Sequence, residues 1–273
     1  MTTLAPPPPL AATGPGPGPL TPARRAALAV GVLVSAVTVA VAAFSIIDEG
    51  TRATERLSFT LTPTGELFSV ETETGNIRVT ASRDDKVHVT RISEYGGEKP
   101  TYAESPGGSG DRLSARCTDG WPWSECWVSY EVAVPAGLAV RLRSDTGDVR
   151  AADLDGPLDA SSATGDVEVR GVDGTLRLRS STGGVSASGV TGDDVIAETS
   201  TGDVTLHFAE APTAVTASTD TGDVTLLLPG GPYAVDADTD TGDTTITVPD
   251  RTGAPRTVFA RTDTGDVEIR ASG

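Results

Sequence analysis

The chain has 273 residues, enough for one large domain with appendages, and contains 31 Gly, 19 Pro and only 4% aromatic residues. This composition argues against a core of aromatic side chains and favours rows of small aliphatic residues. The formal net charge is −17, and because residues 1–47 contain no Asp or Glu, the remainder carries −19. Such an acidic surface repels phosphate backbones, which argues against nucleic-acid binding.

The first segment, residues 1–23, has eight prolines and no periodic apolar pattern. It predicts a disordered Pro/Gly-rich cytoplasmic tail with polyproline character. An uncharged run from Ala26 to Ile47 follows, and a helix of that length reaches ~33 Å, enough to cross the hydrocarbon core. Arg24 and Arg25 precede the run, which favours an N-terminus in the cytoplasm. Residues 24–47 are therefore predicted to be a transmembrane helix.

A cleaved signal peptide is the alternative interpretation of the same segment. Ala40-Val41-Ala42 offers a small-x-small cleavage site, and the paired arginines would form its basic region. Both interpretations place the acidic remainder outside the cytoplasm. The predicted localisation is the cell membrane, with a single span, a linker at 48–56 and an extracytoplasmic domain at 57–273.

That domain contains a repeat, Thr-Gly-X-(Val/Ile/Thr), in eight copies. Its glycines are Gly75, Gly147, Gly165, Gly183, Gly202, Gly222, Gly242 and Gly265. From Gly147 onward the spacings are 18, 18, 19, 20, 20 and 23 residues. A fixed period of this length is typical of repeat architectures in which each unit stacks on its neighbours.

Apolar residues alternate with polar ones on both sides of each glycine, which predicts two strands joined at a corner. Two residues after the glycine stand Ile77, Val149, Val167, Val185, Val204, Val224, Thr244 and Val267. Glycine permits the positive φ or close approach of the corner, and the Asp that follows in most copies can bond nearby amides. Glycines midway between copies, such as Gly156 and Gly174, predict a second corner. The fold class is all-β, a single-stranded β-solenoid (β-helix).

The T-G-D-V repeat, the strand Val128–Pro135 ending in V-P-A-G, and the preceding apolar span resemble a bacterial putative-adhesin family of unknown function. That family is related to head domains of autotransporter adhesins. The resemblance covers about residues 57–271 and implies a right-handed β-helix with a binding role. It brings no catalytic residues.

Between Gly75 and Gly147 lies about four turns' worth of chain without a copy of the motif. It predicts an irregular insert at about 93–127. Cys117 and Cys126 are the only cysteines, and outside the cytoplasm they are expected to form a disulfide. Trp121 and Trp123 lie between them, either as an aromatic ligand platform or folded back onto the solenoid.

Six aspartates in three copies form candidate cation contacts, namely Asp220, Asp223, Asp240, Asp243, Asp263 and Asp266. Neighbouring carboxylates repel, and calcium would relieve that repulsion. Solvated turn aspartates are the alternative, and no cofactor is otherwise expected.

The Thr-x-Thr pairs of the later copies, such as Thr199 and Thr201, share the parity of the inward residues and are predicted to face the core.

Nothing in the chain singles out an acid–base pair, a Ser-His or Cys-His arrangement or a phosphate loop. The sequence therefore predicts a non-enzymatic adhesin, scaffold or ligand-sensing module whose partner is an envelope protein or a glycan. A calcium-dependent carbohydrate-binding or carbohydrate-processing protein is the alternative.

The last strand, Val267 to Ala271, is predicted to be an exposed edge at which the solenoid could oligomerise. Glu268 and Arg270 are predicted to oppose that pairing by their charge.

Overall fold

The computed structural model describes residues 52–104, 111–117 and 125–272, and this part of the chain is all-β, as predicted. In chain order the strands are β1 (Arg52–Leu61), β2 (Leu67–Thr74), β3 (Ile77–Ala81), β4 (Val87–Gly96), β5 (Thr101–Ala103), β6 (Arg112–Arg116), β7 (Cys126–Val134), β8 (Ala139–Thr146), β9 (Val149–Ala152), β10 (Leu158–Thr164), β11 (Val167–Arg170), β12 (Leu176–Thr182), β13 (Val185–Val190), β14 (Asp194–Thr201), β15 (Val204–Phe208), β16 (Ala214–Thr221), β17 (Val224–Leu228), β18 (Ala234–Thr241), β19 (Thr244–Ile246), β20 (Thr257–Thr264) and β21 (Val267–Ala271).

Within the described ranges no helix is long and apolar enough to cross a bilayer. The predicted tail and span, residues 1–47, lie outside the described residues.

Each copy of the repeat forms one coil, with a strand in each of two large sheets. Sheet 1 has eleven strands in the order β1-β4-β7-β3-β9-β11-β13-β15-β17-β21-β19. Sheet 2 has ten in the order β18-β20-β16-β14-β12-β10-β8-β2-β6-β5. We number the coils 1 to 8 by their glycines, from Gly75 to Gly265. Coils pair in parallel and in register, so the inward Val, Leu, Ile and Ala form one continuous buried column.

The chain turns between the two sheets at the motif glycine. All eight of these glycines have φ between +136° and +148°, a region that side chains with a Cβ avoid. At Gly202, a Cβ would also overlap the carbonyl oxygen of Gly183 in the adjacent coil. The corner thus requires glycine both for its backbone conformation and for the close approach of neighbouring coils.

A hydroxyl three residues before each glycine donates to a backbone carbonyl of the adjacent coil or, in coil 1, of β7. Thr199 Oγ1, for example, donates to the carbonyl oxygen of Gly183 at 2.8 Å. The other donors are Thr72, Ser144, Ser162, Ser180, Thr219, Thr239 and Thr262. Thr201, predicted to face inward like Thr199, is instead exposed, as Ser200 is, so the alternation of inward and outward side chains breaks at the end of the strand.

The aspartate after the glycine forms a second ladder, on the outside of the corner. Asp203 Oδ1 accepts a hydrogen bond from the amide of Asp223 at 2.9 Å, and Asp223 Oδ1 accepts one from Asp266 at 2.8 Å. Asp266 Oδ1 in turn accepts from the amide of Asp243 at 2.9 Å. The amide that each carboxylate binds therefore belongs to the next coil rather than to its own turn.

Coil 1 stacks directly on coil 2, although 72 residues separate their glycines. The intervening chain adds β6 to sheet 2 beside β2 and β7 to sheet 1 beside β3, with β4 antiparallel beyond β7. Strand β1, from before coil 1, pairs antiparallel with β4. The sequence predicts an irregular insert at about 93–127, but the described part of that segment forms β5, β6 and the adjoining ends of β4 and β7. These strands lack the repeat motif, yet they extend both sheets beyond coil 1.

Strand β1 begins at Arg52, inside the segment 48–56 that the sequence assigns to a linker. All ten of its residues pair with β4, from Arg52 opposite Gly96 to Leu61 opposite Val87. Of its residues within that segment only Ala53 is apolar, so hydropathy does not distinguish them from a linker. The folded domain therefore starts earlier than the sequence predicts.

The last coil lies inside the stack. Strand β20 pairs with both β16 and β18, and β21 pairs with both β17 and β19, so the spatial order is coil 6, coil 8, coil 7. The prediction that Val267 to Ala271 forms an exposed edge is wrong, since β18 and β19 are the terminal strands. The 23-residue spacing before Gly265 reflects the longer connection, residues 247–256, by which the chain steps back over coil 7.

Coil 7 has residues suited to an end position. Thr244 stands where the other coils have Val or Ile, and it is exposed. Asp236, Asp238 and Asp240 project from the edge strand β18 and are also exposed. Charged side chains on an edge strand oppose its pairing with another chain.

We expect Val267→Thr to lower the free energy of unfolding by about 1–3 kcal/mol, because Val267 is fully buried and the new hydroxyl would lack a partner. Thr244→Val, at the equivalent position of coil 7, should change it by no more than about 0.5 kcal/mol. Chemical denaturation followed by circular dichroism measures both. If Thr244→Val instead changed the free energy of unfolding by more than Val267→Thr does, Thr244 would lie inside the stack, and the coil order would be contradicted.

Candidate functional site

A shallow groove crosses the outer face of sheet 2 along the stack. It consists of two depressions of about 420 and 310 Å³ that adjoin at Arg143 and Asp145. The larger one crosses coils 2 to 6, a length of ~19 Å at the usual strand spacing. We call the two depressions together the coil groove. Its charged lining residues are Glu71, Glu73, Arg116, Arg143, Asp145, Arg179, Glu198 and Asp220.

The groove follows from the residue pattern just before each corner. Four residues before the glycine the side chains are long in coils 2, 4 and 5, namely Arg143, Arg179 and Glu198, whereas three residues before it the buried hydroxyl points inward. Two residues before it, in coils 3 to 5, the side chains are short, namely Ala163, Ser181 and Ser200. The short residues form the floor and the long ones form a wall. Stacking places these residues side by side across the coils.

The groove presents guanidinium, carboxylate and hydroxyl groups side by side in contact with water. Arg179 Nε lies 2.8 Å from Glu198 Oε2, and Arg143 Nε lies 3.5 Å from Asp145 Oδ1. All four side chains are at least 41% exposed, and ion pairs of this kind contribute little to stability. They can therefore exchange partners with a ligand that offers both donors and acceptors, such as a saccharide or an extended peptide.

The six predicted cation contacts do lie in three adjacent coils, in the spatial order 6, 8, 7. Arg261 supplies positive charge among them, with Nη2 at 3.6 Å from Asp240 and Nε at 3.7 Å from Asp263. Asp223 and Asp266 already accept backbone amides of the next coil. Within the described ranges, no three His, Cys, Asp or Glu side chains are grouped to hold a metal ion. Calcium binding stays a prediction.

The predicted disulfide is present and joins Cys117 to Cys126, with Cα atoms 6.0 Å apart. It ties the end of β6 in sheet 2 to the start of β7 in sheet 1. The amide of Cys117 also donates to Glu73 Oε2 at 2.8 Å, so this crosslink adjoins one end of the coil groove. Trp121 and Trp123 lie outside the described residues, and their role as a ligand platform stays a prediction.

A buried ion pair that the sequence analysis missed lies in the N-terminal part of the domain. Arg91 Nη1 is 2.6 Å from Glu104 Oε2, and each side chain is only 4% exposed. The Arg91 guanidinium also lies 3.5 Å from the centroid of the Tyr102 ring. Tyr130 donates to Glu104 Oε1 at 2.8 Å. These contacts fasten the chain after β5 to β4 and β7.

The parity of β4 could have revealed this pair, because Arg91 shares the inward face with Val87 and Val89. An arginine on an inward face implies a buried acidic partner.

Burial raises the pKa of Tyr130 well above its usual range, and the charge of Glu104 adds to this. The hydroxyl of Tyr130 therefore keeps its proton in the native state at a pH at which it ionises in the unfolded chain. The free energy of unfolding should fall as the pH rises above about 10.

Comparison with known proteins found a described family model that is similar to one segment of the chain. Residues 138–272 match the family model Toastrack DUF4097. The matched segment contains coils 2 to 8, the part of the chain in which the repeat is most regular. Coil 1 and the strands β1 to β7 precede it. A search of curated proteins found no match to this chain.

Three solved structures share a distant likeness with the chain. A putative adhesin from Bacteroides fragilis is 14% identical, with 80% of this chain and 97% of that chain covered and a TM-score of 0.43. A putative adhesin from Parabacteroides merdae is 8% identical, with 82% and 97% covered and a TM-score of 0.41. A putative cell adhesion protein from Clostridium sporogenes is 9% identical, with 81% and 100% covered and a TM-score of 0.31. At these values the likeness carries no statement about function.

Proposed function

We propose that the chain is a non-enzymatic, membrane-anchored protein of the cell envelope that acts as an adhesin, scaffold or ligand-sensing module. The coil groove is the observation that carries this proposal. It is open to water along its length, whereas sites for small substrates enclose most of the ligand. A groove of this form suits an extended polar polymer, a glycan or a segment of an envelope protein, held by many weak contacts.

The proposed anchor is the uncharged run Ala26–Ile47, with the N-terminus in the cytoplasm. If it remains attached, the protein should stay in the membrane fraction after alkaline carbonate extraction, and deletion of residues 26–47 should release it. Mass spectrometry of the mature N-terminus distinguishes the anchor from a signal peptide. A mature chain that begins shortly after Ala42 would contradict anchoring and leave the groove proposal intact.

Binding can be tested with glycan and peptide arrays probed by the purified full-length protein in detergent. We expect Arg179→Gln to weaken binding about tenfold, the loss that follows from one charge-assisted hydrogen bond. Arg141→Gln is the matched control, because Arg141 forms a similar exposed pair with Asp159 at 3.2 Å on the same sheet but does not line the groove. Equal affinities of the two variants would contradict the assignment of the groove.

The alternative function is calcium-dependent carbohydrate binding or processing. The observation in its favour is the group of six aspartates in coils 6, 8 and 7. Repeating the arrays with and without millimolar calcium separates the two functions, since only the alternative requires the ion. Turnover of a bound glycan would overturn the non-enzymatic proposal.

A further inference from the structure

A depression of about 370 Å³ on the outer face of sheet 1 is lined by three arginines and one acid. Arg78 lies on β3, Arg150 on β9 and Arg170 on β11, and Glu168 is the acid. We call it the arginine depression. These four charges sum to +2, and Asp148, which pairs with Arg150, reduces the local sum to +1. The region of the chain that holds them, residues 48–273, has a net charge of −19. Such a local reversal of sign requires a physical explanation.

Arg78 and Arg150 are direct cross-strand neighbours in the parallel ladder. Like charges in this position destabilise a sheet. The neighbour of Arg78 on its other side is Glu131, but the carboxylate of Glu131 lies 3.3 Å from Arg56 instead. In the described part of the chain, Arg78 forms no ion pair. Its charge is therefore available to a ligand.

The other two arginines are held in place by acids. Arg150 Nη2 lies 2.9 Å from Asp148 Oδ2 and its Nε lies 3.1 Å from Glu168 Oε2. These contacts leave the Nη1 donors of Arg150 for another acceptor. Arg170 pairs with the same Glu168, which shares its charge between two guanidinium groups. The acids orient the arginines without cancelling their charge.

The floor of the depression leaves room for a ligand, because its residues Thr80 and Ala152 are small. Guanidinium groups match the oxygens of phosphate in paired hydrogen bonds. We propose that the arginine depression binds a phosphate group, whose charge of about −2 complements the local excess of positive charge. The distant acidic residues do not prevent this, since at physiological salt their field decays over about 8 Å.

The test is isothermal titration of the full-length protein in detergent with inorganic phosphate and, separately, with short-chain polyphosphate. We expect Arg78→Gln to weaken binding at least tenfold. Arg270→Gln is the matched control, because Arg270 and Glu268 repeat the Arg170–Glu168 pair in coil 8, away from the depression. Binding should also weaken as salt is raised from 50 to 300 mM, as expected for an electrostatic contact.

Binding of both probes with similar affinity indicates a site for free phosphate, and a strong preference for polyphosphate indicates a phosphate carried on a polymer. The proposal is overturned if neither probe binds, or if Arg78→Gln and Arg270→Gln weaken binding equally. Arg78 is exposed, so its substitution should leave the fold intact, which circular dichroism checks. Arg170→Gln provides a second variant with the same expected loss.

Discussion

Glu104→Gln is expected to lower the free energy of unfolding by about 3 kcal/mol. Removing one partner of a buried ion pair leaves the other charge uncompensated, which costs about 3–5 kcal/mol. The lower end applies, because Glu55 Oε1 lies 3.7 Å from Arg91 Nη2 and supplies part of the missing charge. The buried Arg91 Nε already lacks a hydrogen-bond partner among the described residues, so the guanidinium has little other compensation.

Urea denaturation of the purified protein measures this loss. Glu198→Gln is the control, since Glu198 forms an exposed pair with Arg179 on the outside of the stack, and its loss should cost at most about 1 kcal/mol. Similar effects of the two substitutions would show that the Arg91–Glu104 pair is accessible to water.

Gly202→Ala is expected to destabilise the protein by about 3–5 kcal/mol. The backbone at Gly202 has φ of +140°, where a residue with a Cβ is strained by about 1–3 kcal/mol. The Cβ would also overlap the carbonyl oxygen of Gly183, so coils 4 and 5 would have to separate locally. That oxygen accepts the hydrogen bond of Thr199, which the separation would weaken. Overpacking of this kind costs a further amount of about 1–3 kcal/mol.

Thermal or urea denaturation checks this prediction, with Gly230→Ala as the control. Gly230 lies in the loop after coil 6, is exposed, and has open space where a Cβ would stand. Its substitution should be neutral or stabilise the protein by up to about 1 kcal/mol, because alanine restricts the unfolded chain. A Gly202→Ala variant as stable as Gly230→Ala would mean that neighbouring coils do not touch at the corner.

The repeat itself could be interpreted from the sequence because its physics is local. A positive φ needs glycine wherever it occurs, and the alternation of Val or Leu with polar residues defines an inward and an outward face. The same reasoning anticipates the inward hydroxyl of Thr199. It fails two residues later, at Thr201, because the alternation breaks where the strand enters the corner. The coil groove lies on the outward face just before the corner, and its extent depends on which coils are neighbours, which the local pattern does not specify.

The sequence by itself determined the all-β class, the coil with its glycine corner, and the disulfide between Cys117 and Cys126. The tertiary structure decided the order in which coils stack, the direct contact between coils 1 and 2, and the burial of Arg91. The reason is that every coil offers its neighbours the same edges, so the repeat does not specify which coil follows which. Connection lengths and the residues that tolerate an exposed end, such as Thr244, decide that order, and they act only when the whole stack is formed.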